Sequence, residues 1–381
     1  MKKSLLAVAV AAALPTFAQA QSSVTLFGLL DASVEYSDSQ ANATVTNGVV
    51  TEGKGGMRLA NGVSYGSRFG VRGTEDLGGG LRAIFTIEHR LNIDTGDTSG
   101  GPGVTGQQKF WNGQAWLGLS GGWGQLTAGR QYSPIFWMLI PADFTSYGYY
   151  NNWAATSGNN VQTVGAFITQ GPIRLDNSLA YRSPTIGGLT VYATYAFGEN
   201  LQNAALPGGS DQAGTGDIWG LAAGWQLGGL YAGVGYHSAD NKAFGTGATT
   251  VSAQAAFKNV LAATVSYKWT NFGASLGYTQ LNFENIAGSD PSISNIMASL
   301  FANVGPGTLF VNATMREYSD FTGARNDSGL DLGVTYRVPI SKRTDWYVTY
   351  GLNDVSGIQA PTANVLIDSQ NRFALGVRHL F

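Results

Sequence analysis

Along most of the chain, apolar and polar residues alternate one by one in short runs, the period-two pattern of a strand with one face in an apolar medium. In the first run Val24, Leu26, Gly28, Leu30, Ala32, Val34 and Tyr36 share one face, and Thr25, Asp31, Ser33 and Glu35 share the other. Later runs repeat the pattern. Leu189, Val191, Ala193, Tyr195 and Phe197 oppose Thr190, Tyr192 and Thr194; Leu261, Ala263, Val265, Tyr267 and Trp269 oppose Thr264, Ser266 and Lys268. Leu330, Leu332, Val334, Tyr336 and Val338 oppose Asp331, Thr335 and Arg337. In the last run Phe373, Leu375, Val377, His379 and the terminal Phe381 oppose Arg372, Gly376 and Arg378.

The connections between runs alternate in length. Short ones fall at 76–80, 121–124, 183–188, 227–229, 270–271, 304–307 and 339–344. Long polar ones fall at about 37–63, 91–109, 131–170, 199–217, 238–259, 282–294, 317–328 and 352–370. Seven short turns and eight long loops make fifteen connections and therefore sixteen strands. Short turns at one end and long loops at the other predict an all-β fold: a transmembrane 16-stranded antiparallel up-and-down β-barrel. Closure removes every exposed strand edge, as hydrocarbon requires. A soluble β-sandwich is the competing all-β reading. It gives no reason for aromatics at outward strand ends such as Tyr36, Phe197, Tyr267, Trp269, Tyr336 and Trp346, which suit interfacial girdles.

One stretch breaks the alternation. From Arg130 the chain reads Gln131-Tyr132-Ser133-Pro134-Ile135-Phe136-Trp137-Met138-Leu139-Ile140-Pro141-Ala142-Asp143-Phe144, then reaches Tyr147, Tyr149 and Tyr150. A long connection without strands of its own is functional or disordered, and this one is too aromatic for disorder. It is expected to be an ordered third loop, about 131–170, whose aromatics Phe136, Trp137, Phe144 and Tyr147 pin it against the wall.

Composition narrows the class further. Lys2 and Lys3, an apolar run from Leu5 to Leu14, and the ending Ala18-Gln19-Ala20 read as a secretory signal peptide over 1–20, cleaved to leave 21–381. The apolar run is about half the ~20 residues that a membrane helix needs. Cysteine is absent, so disulfides and thiolate metal sites are excluded. Glycine supplies 53 of 381 residues, suiting many tight turns. Removing the two leader lysines from 22 basic residues leaves 20 against 24 acidic, a balance of −4 with no nucleic-acid character.

Several motifs occur together and in order: Ser22-Ser23-Val24-Thr25-Leu26-Phe27-Gly28, Ser67-Arg68-Phe69-Gly70-Val71-Arg72-Gly73-Thr74-Glu75-Asp76-Leu77-Gly78, Gly129-Arg130-Gln131, Tyr181-Arg182-Ser183-Pro184 and the terminal Phe381. With these the whole of 21–381 resembles the trimeric general porins of the Gram-negative outer membrane. The resemblance implies a homotrimer in outer-membrane lipid and lipopolysaccharide, and a water-filled channel for passive diffusion of small hydrophilic solutes and ions. It implies that Phe381 is part of the signal read by the barrel-assembly machinery. It also implies an inward-folded third loop facing a row of wall arginines. The family's pore-loop Pro-acid-Phe is matched by Pro141-Ala142-Asp143-Phe144, with one extra residue between Pro and acid.

Strand arithmetic places Arg68, Arg130 and Arg174 at similar heights, roughly 14–21 Å up a band about 25 Å tall. Arg68 and Arg72 alternate with Phe69 and Val71 and so face the lumen. Arg130 shares the parity of Leu126 and Ala128, with a bulge near Gly129 as the way back inward. The expected constriction is Arg68, Arg72, Arg130 and Arg174 opposed by Asp143, which favours anions because rings of charge set pore selectivity. The alternative role for these arginines is pairing with Asp31, Glu35 and Glu88 to stiffen the wall, the role assigned to Arg82, Arg90, Arg182, Arg337 and Arg378. An enzyme would need a nucleophile with a positioned base, and His89, His237 and His379 sit near no recognisable Ser motif. No cofactor or metal is expected. A substrate-specific channel or surface receptor is the other reading, with loops such as 91–109 or 238–259 carrying specificity.

Overall fold

The computed structural model describes residues 22–38, 44–46, 49–51, 55–98, 109–146, 148, 173–198, 217–239, 255–285, 290, 292–319, 326–353 and 370–381. The expected leader, Tyr147, and the third loop from 149 to 172 lie outside the described residues.

The strands are β1 (Ser23–Ser37), β2 (Thr44–Thr46), β3 (Val49–Thr51), β4 (Gly56–Asn61), β5 (Arg68–Gly78), β6 (Leu81–Arg90), β7 (Gln114–Gly121) and β8 (Gly124–Tyr132). A short helix α1 (Pro134–Leu139) follows. Then come β9 (Arg174–Arg182), β10 (Leu189–Ala196), β11 (Ile218–Leu227), β12 (Leu230–Ala239), β13 (Ala255–Lys268), β14 (Phe272–Asn285) and β15 (Ser292–Val304). The chain ends with β16 (Gly307–Ser319), β17 (Asn326–Pro339), β18 (Thr344–Asn353) and β19 (Gln370–Leu380).

Seventeen segments form one sheet in which each strand pairs antiparallel with its neighbours, and β1 closes on β19 from Leu29↔Leu380 to Ser37↔Arg372. Segments β4 and β5 both pair with β1, as Ala32↔Asn61 and Leu29↔Arg68, and are two halves of one wall strand interrupted at 62–67. The barrel therefore has sixteen wall strands. All seven short turns fall where the alternation puts them. At the first, Gly78, Gly79 and Gly80 all have positive φ, of 87°, 61° and 81°, a region that side chains with a Cβ rarely enter. The region 37–63, expected as loop, instead holds the β2–β3 hairpin and extends the wall through β4.

The packing is inverted relative to a soluble protein. Val24, Leu26, Leu221, Leu276 and Leu375 are exposed on the outside, while Asp31, Ser33, Thr279, Asn295, Ser299 and Thr335 are buried on the lumen side. Outward apolar side chains on nearly every strand match a lipid surround. Aromatic pairs occupy outward strand ends: Tyr267 and Trp269 lie 4.5 Å apart, Trp269 stacks on Phe272 at 4.5 Å, and Trp123 stacks on Tyr181 at 6.4 Å. Closure ends at the last residue, where Phe381 N donates to Gly28 O at 3.1 Å and Gly28 N donates to Phe381 O at 3.0 Å. The Phe381 ring lies 2.1 Å from where a Cβ on Gly28 would stand, so any larger residue there must displace the ring.

Candidate functional site

The lumen carries an apolar patch that water alone would leave poorly solvated. Ala222, Val260, Ala262, Leu281, Phe283 and Ile293 face inward from adjacent wall strands, and the third loop covers them with Ile135, Met138 and Leu139 of α1. Ser133 caps the helix, its Oγ accepting from Phe136 N at 3.4 Å, and Pro134 occupies the first turn, where its missing N–H costs nothing. A helix of six residues does not persist alone; burial holds this one. Each of its three fully buried side chains contributes about 1.5–3 kcal/mol. Gly233 and Gly235 of β12 make room, since a Cβ on either would meet Met138 at 2.6 Å or Ile135 at 2.9 Å. Two wall side chains fix the ends of the helix. Ile135 N donates to His237 Nε2 at 3.3 Å, and Tyr231 Oη donates to Met138 O at 2.6 Å.

Beyond the helix the chain turns through 140–146. Asp143 Oδ1 accepts from Thr145 N at 2.9 Å and from Thr145 Oγ1 at 2.8 Å. Phe144 meets Phe301 edge-on at 4.8 Å. The far anchor is the 62–67 interruption, which Asp31 draws inward by accepting from Ser64 N at 2.5 Å, Tyr65 N at 2.8 Å and Tyr347 Oη at 2.6 Å. Tyr65 Oη then donates to Thr145 O. The loop is thus tied to two walls and crosses the lumen between them, as expected of an inward-folded third loop.

Against this crossing stands a cluster of arginines. Arg68 faces Arg90 across the β5–β6 hairpin. Arg90 Nε donates to Glu88 Oε1 at 3.1 Å, and Arg90 Nη2 donates to Tyr132 Oη at 2.6 Å. Arg174 Nη2 donates to the same hydroxyl at 3.1 Å, with its guanidinium 4.7 Å from the Tyr132 ring centroid. The other side of that ring stacks on Phe136 at 3.9 Å, which joins the arginines to the helix. Neither Arg68 nor Arg174 forms an ion pair with a described carboxylate. Three guanidinium charges against Glu88 leave the cluster at +2. Arg72 lies lower on β5, over the Phe27 ring at 5.3 Å.

Two expected members lie elsewhere. Arg130 sits opposite Ala115, on the face that carries Leu117 and Leu126, and pairs with Asp176 at 2.6 Å while donating to Asn112 O at 3.0 Å. The bulge at Gly129 shifts the β8–β9 register; Arg130 is near enough to Arg174 to act on its charge, but its own guanidinium is paired with Asp176 rather than with the Tyr132 hydroxyl. Asp143 is buried and borders a recess against β13 and β15–β17, away from the wall that carries Arg68 and Arg174. Of the carboxylates considered as stiffening partners, Glu35 pairs with Arg58 and Glu88 with Arg90, while Asp31 holds backbone amides. Arg90, expected only to stiffen the wall, and Tyr132, expected only as part of the third loop, both belong to the cluster. The signal was available, because Arg90 and Arg68 are equidistant from the turn at Gly79. Among the described residues no group of three or more His, Asp or Glu side chains could hold a metal ion.

A family model described as Gram-negative porin matches residues 7–358. The chain is 31% identical over 408 aligned positions to outer membrane porin protein 32 of Delftia acidovorans, covering all of both proteins. It is 35% identical over 213 residues to an outer membrane porin of Bordetella pertussis, a match spanning 54% of this chain and 50% of that relative. Its fold superposes on an anion-selective porin from Comamonas acidovorans with a TM-score of 0.69 at 25% identity, covering 95% of this chain and 100% of the other.

Proposed function

Because the chain belongs to the Gram-negative porin family, we propose that it forms a water-filled channel for passive diffusion of small hydrophilic solutes and ions across the outer membrane, with a preference for anions. The observation that carries the preference is the +2 cluster of Arg68, Arg90, Arg174 and Glu88 beside the lumen-crossing loop. Arginine does not deprotonate at relevant pH, so the patch is permanent. A narrow lumen with low-dielectric walls focuses its field and concentrates counter-ions. The anion-selective porin with the similar fold supports the same reading. Arg72 adds positive charge below the loop, while the charge of Arg130 is offset by Asp176 and Asp143 lies against another wall.

A homotrimer surrounded by lipid and lipopolysaccharide, assembly through Phe381 and cleavage after Ala20 complete the proposal. The exposed apolar exterior supports membrane residence, and the Gly28–Phe381 closure supports a structural role for the terminal residue. A substrate-specific channel or surface receptor is not favoured. The test is a reversal potential in a potassium chloride gradient across a bilayer holding the purified porin. A potential of the sign set by chloride supports the reading, and one of the sign set by potassium overturns it.

A further inference from the structure

A second group of cations lines the lumen at its short-turn end. Lys268 is the last residue of β13, and Arg337 lies two residues from the end of β17. Neither pairs with a described carboxylate. Each lies over an aromatic ring instead, Lys268 Nζ 5.4 Å from the Phe144 centroid and Arg337 Cζ 5.1 Å from that of Phe310. Both border one recess of about 450 Å³ between the third loop and the wall, which Phe301, Asn303 and Asp143 also line. That volume falls within the ~300–1,000 Å³ of small-molecule pockets.

From this arrangement we infer that the recess under the third loop binds a small organic anion, a carboxylate joined to an apolar body. The carboxylate sits between Lys268 and Arg337, two cations against the single Asp143 carboxylate, whose Oδ1 accepts from Thr145. Thr308 Oγ1 donates to Asn303 Oδ1 at 3.1 Å, which directs the amide nitrogen of Asn303 away as a further donor. The body of the ligand covers Phe144, Phe301 and Phe310, which a bare inorganic anion would leave in water. Charge and apolar surface must therefore act together, which distinguishes this recess from the arginine cluster. Its existence does not depend on which ion the constriction prefers. A solute that pauses here on its way through is one whose flux saturates.

The test uses the full-length porin in a planar bilayer at constant chloride, with benzoate as the carboxylate with a body, acetate as charge alone and benzyl alcohol as body alone. Benzoate added on the short-turn side is expected to lower chloride conductance saturably, with half-effect in the ~1 mM range of weak ligands. Acetate and benzyl alcohol are expected to need at least about tenfold more. Lys268→Gln or Arg337→Gln is expected to raise the benzoate half-effect about tenfold or more, the usual cost of a lost charge-assisted hydrogen bond. Arg182→Gln removes another aromatic-backed lumen cation, over Tyr192 at 5.6 Å and outside the recess, and is expected to leave the half-effect unchanged. Equal potency of benzoate and acetate, an unmoved half-effect in both Gln variants, or an equal shift in Arg182→Gln would each overturn the inference.

Discussion

Replacing Arg68 and Arg174 together with Glu changes the cluster charge from +2 to −2, because each substitution removes one positive charge and adds one negative. For an ion passing about 6 Å away in water, two net charges are worth about 1.4 kcal/mol. At 0.1 M salt a Debye length of ~10 Å reduces this to about 0.8 kcal/mol, a roughly fourfold change in local concentration. Anions are enriched and cations depleted by that factor, so the permeability ratio should be on the order of ten in favour of anions. The double variant should invert it to about ten in favour of cations, reversing the sign of the zero-current potential in a gradient around 0.1 M. At 1 M salt, with screening over ~3 Å, the preference in either protein should fall to about twofold. Arg130→Ala is the control. Its guanidinium is already paired with Asp176, which keeps Lys109 as a partner, so the potential should move far less than in the double variant. Heat-dependent gel mobility checks that each variant is a folded barrel. A folded double variant with an unmoved potential would refute the reasoning, since the arginines would then be wall structure alone.

Gly235→Leu places a side chain where Ile135 approaches to 2.9 Å of an added Cβ, so it should displace α1 and raise single-channel conductance while the barrel still folds. Deleting Phe381, or Gly28→Val beneath its ring, should lower the yield of closed barrel in outer-membrane fractions, read by heat-dependent mobility. Asp143→Asn keeps an acceptor for Thr145 and removes a charge bordering the recess rather than the arginines, so selectivity should change by less than twofold. Mass spectrometry of the membrane-extracted protein should show a chain beginning at Gln21.

The wall was legible because a strand in lipid leaves no choice at each position: Leu26 faces hydrocarbon and Asp31 cannot. The same parity puts Arg68 in the lumen. It could not rank the arginines, since what separates Arg68 from Arg130 is pairing, and Asp176 reaches Arg130 through a bulge where Asn177 takes φ of 49°. Arg90 was assigned to wall stiffening because Glu88 is its near neighbour; that pair forms, yet the same guanidinium also reaches Tyr132. The helix went unseen for a different reason. Six residues are too short for periodicity to register, and its signal was the Ser133-Pro134 cap rather than any stripe. The inward step at 62–67 had no signal of its own, because Asp31 creates it from a strand away.

The wall and the loop specify one another. A water channel gains nothing from inward Val260, Leu281 or Ile293, and each would be an error if the lumen were uniformly wet. They make sense only with α1 over them, and α1 persists only because Gly233 and Gly235 let it settle there. Fixing the helix fixes Phe136, Phe136 stacks on Tyr132, and the Tyr132 hydroxyl accepts from Arg90 and Arg174. The charge that is proposed to select ions is therefore positioned by apolar packing on another wall of the barrel. A substitution that loosens α1 should widen the pore and blur its selectivity together, whereas one that removes an arginine should change selectivity and leave the width alone.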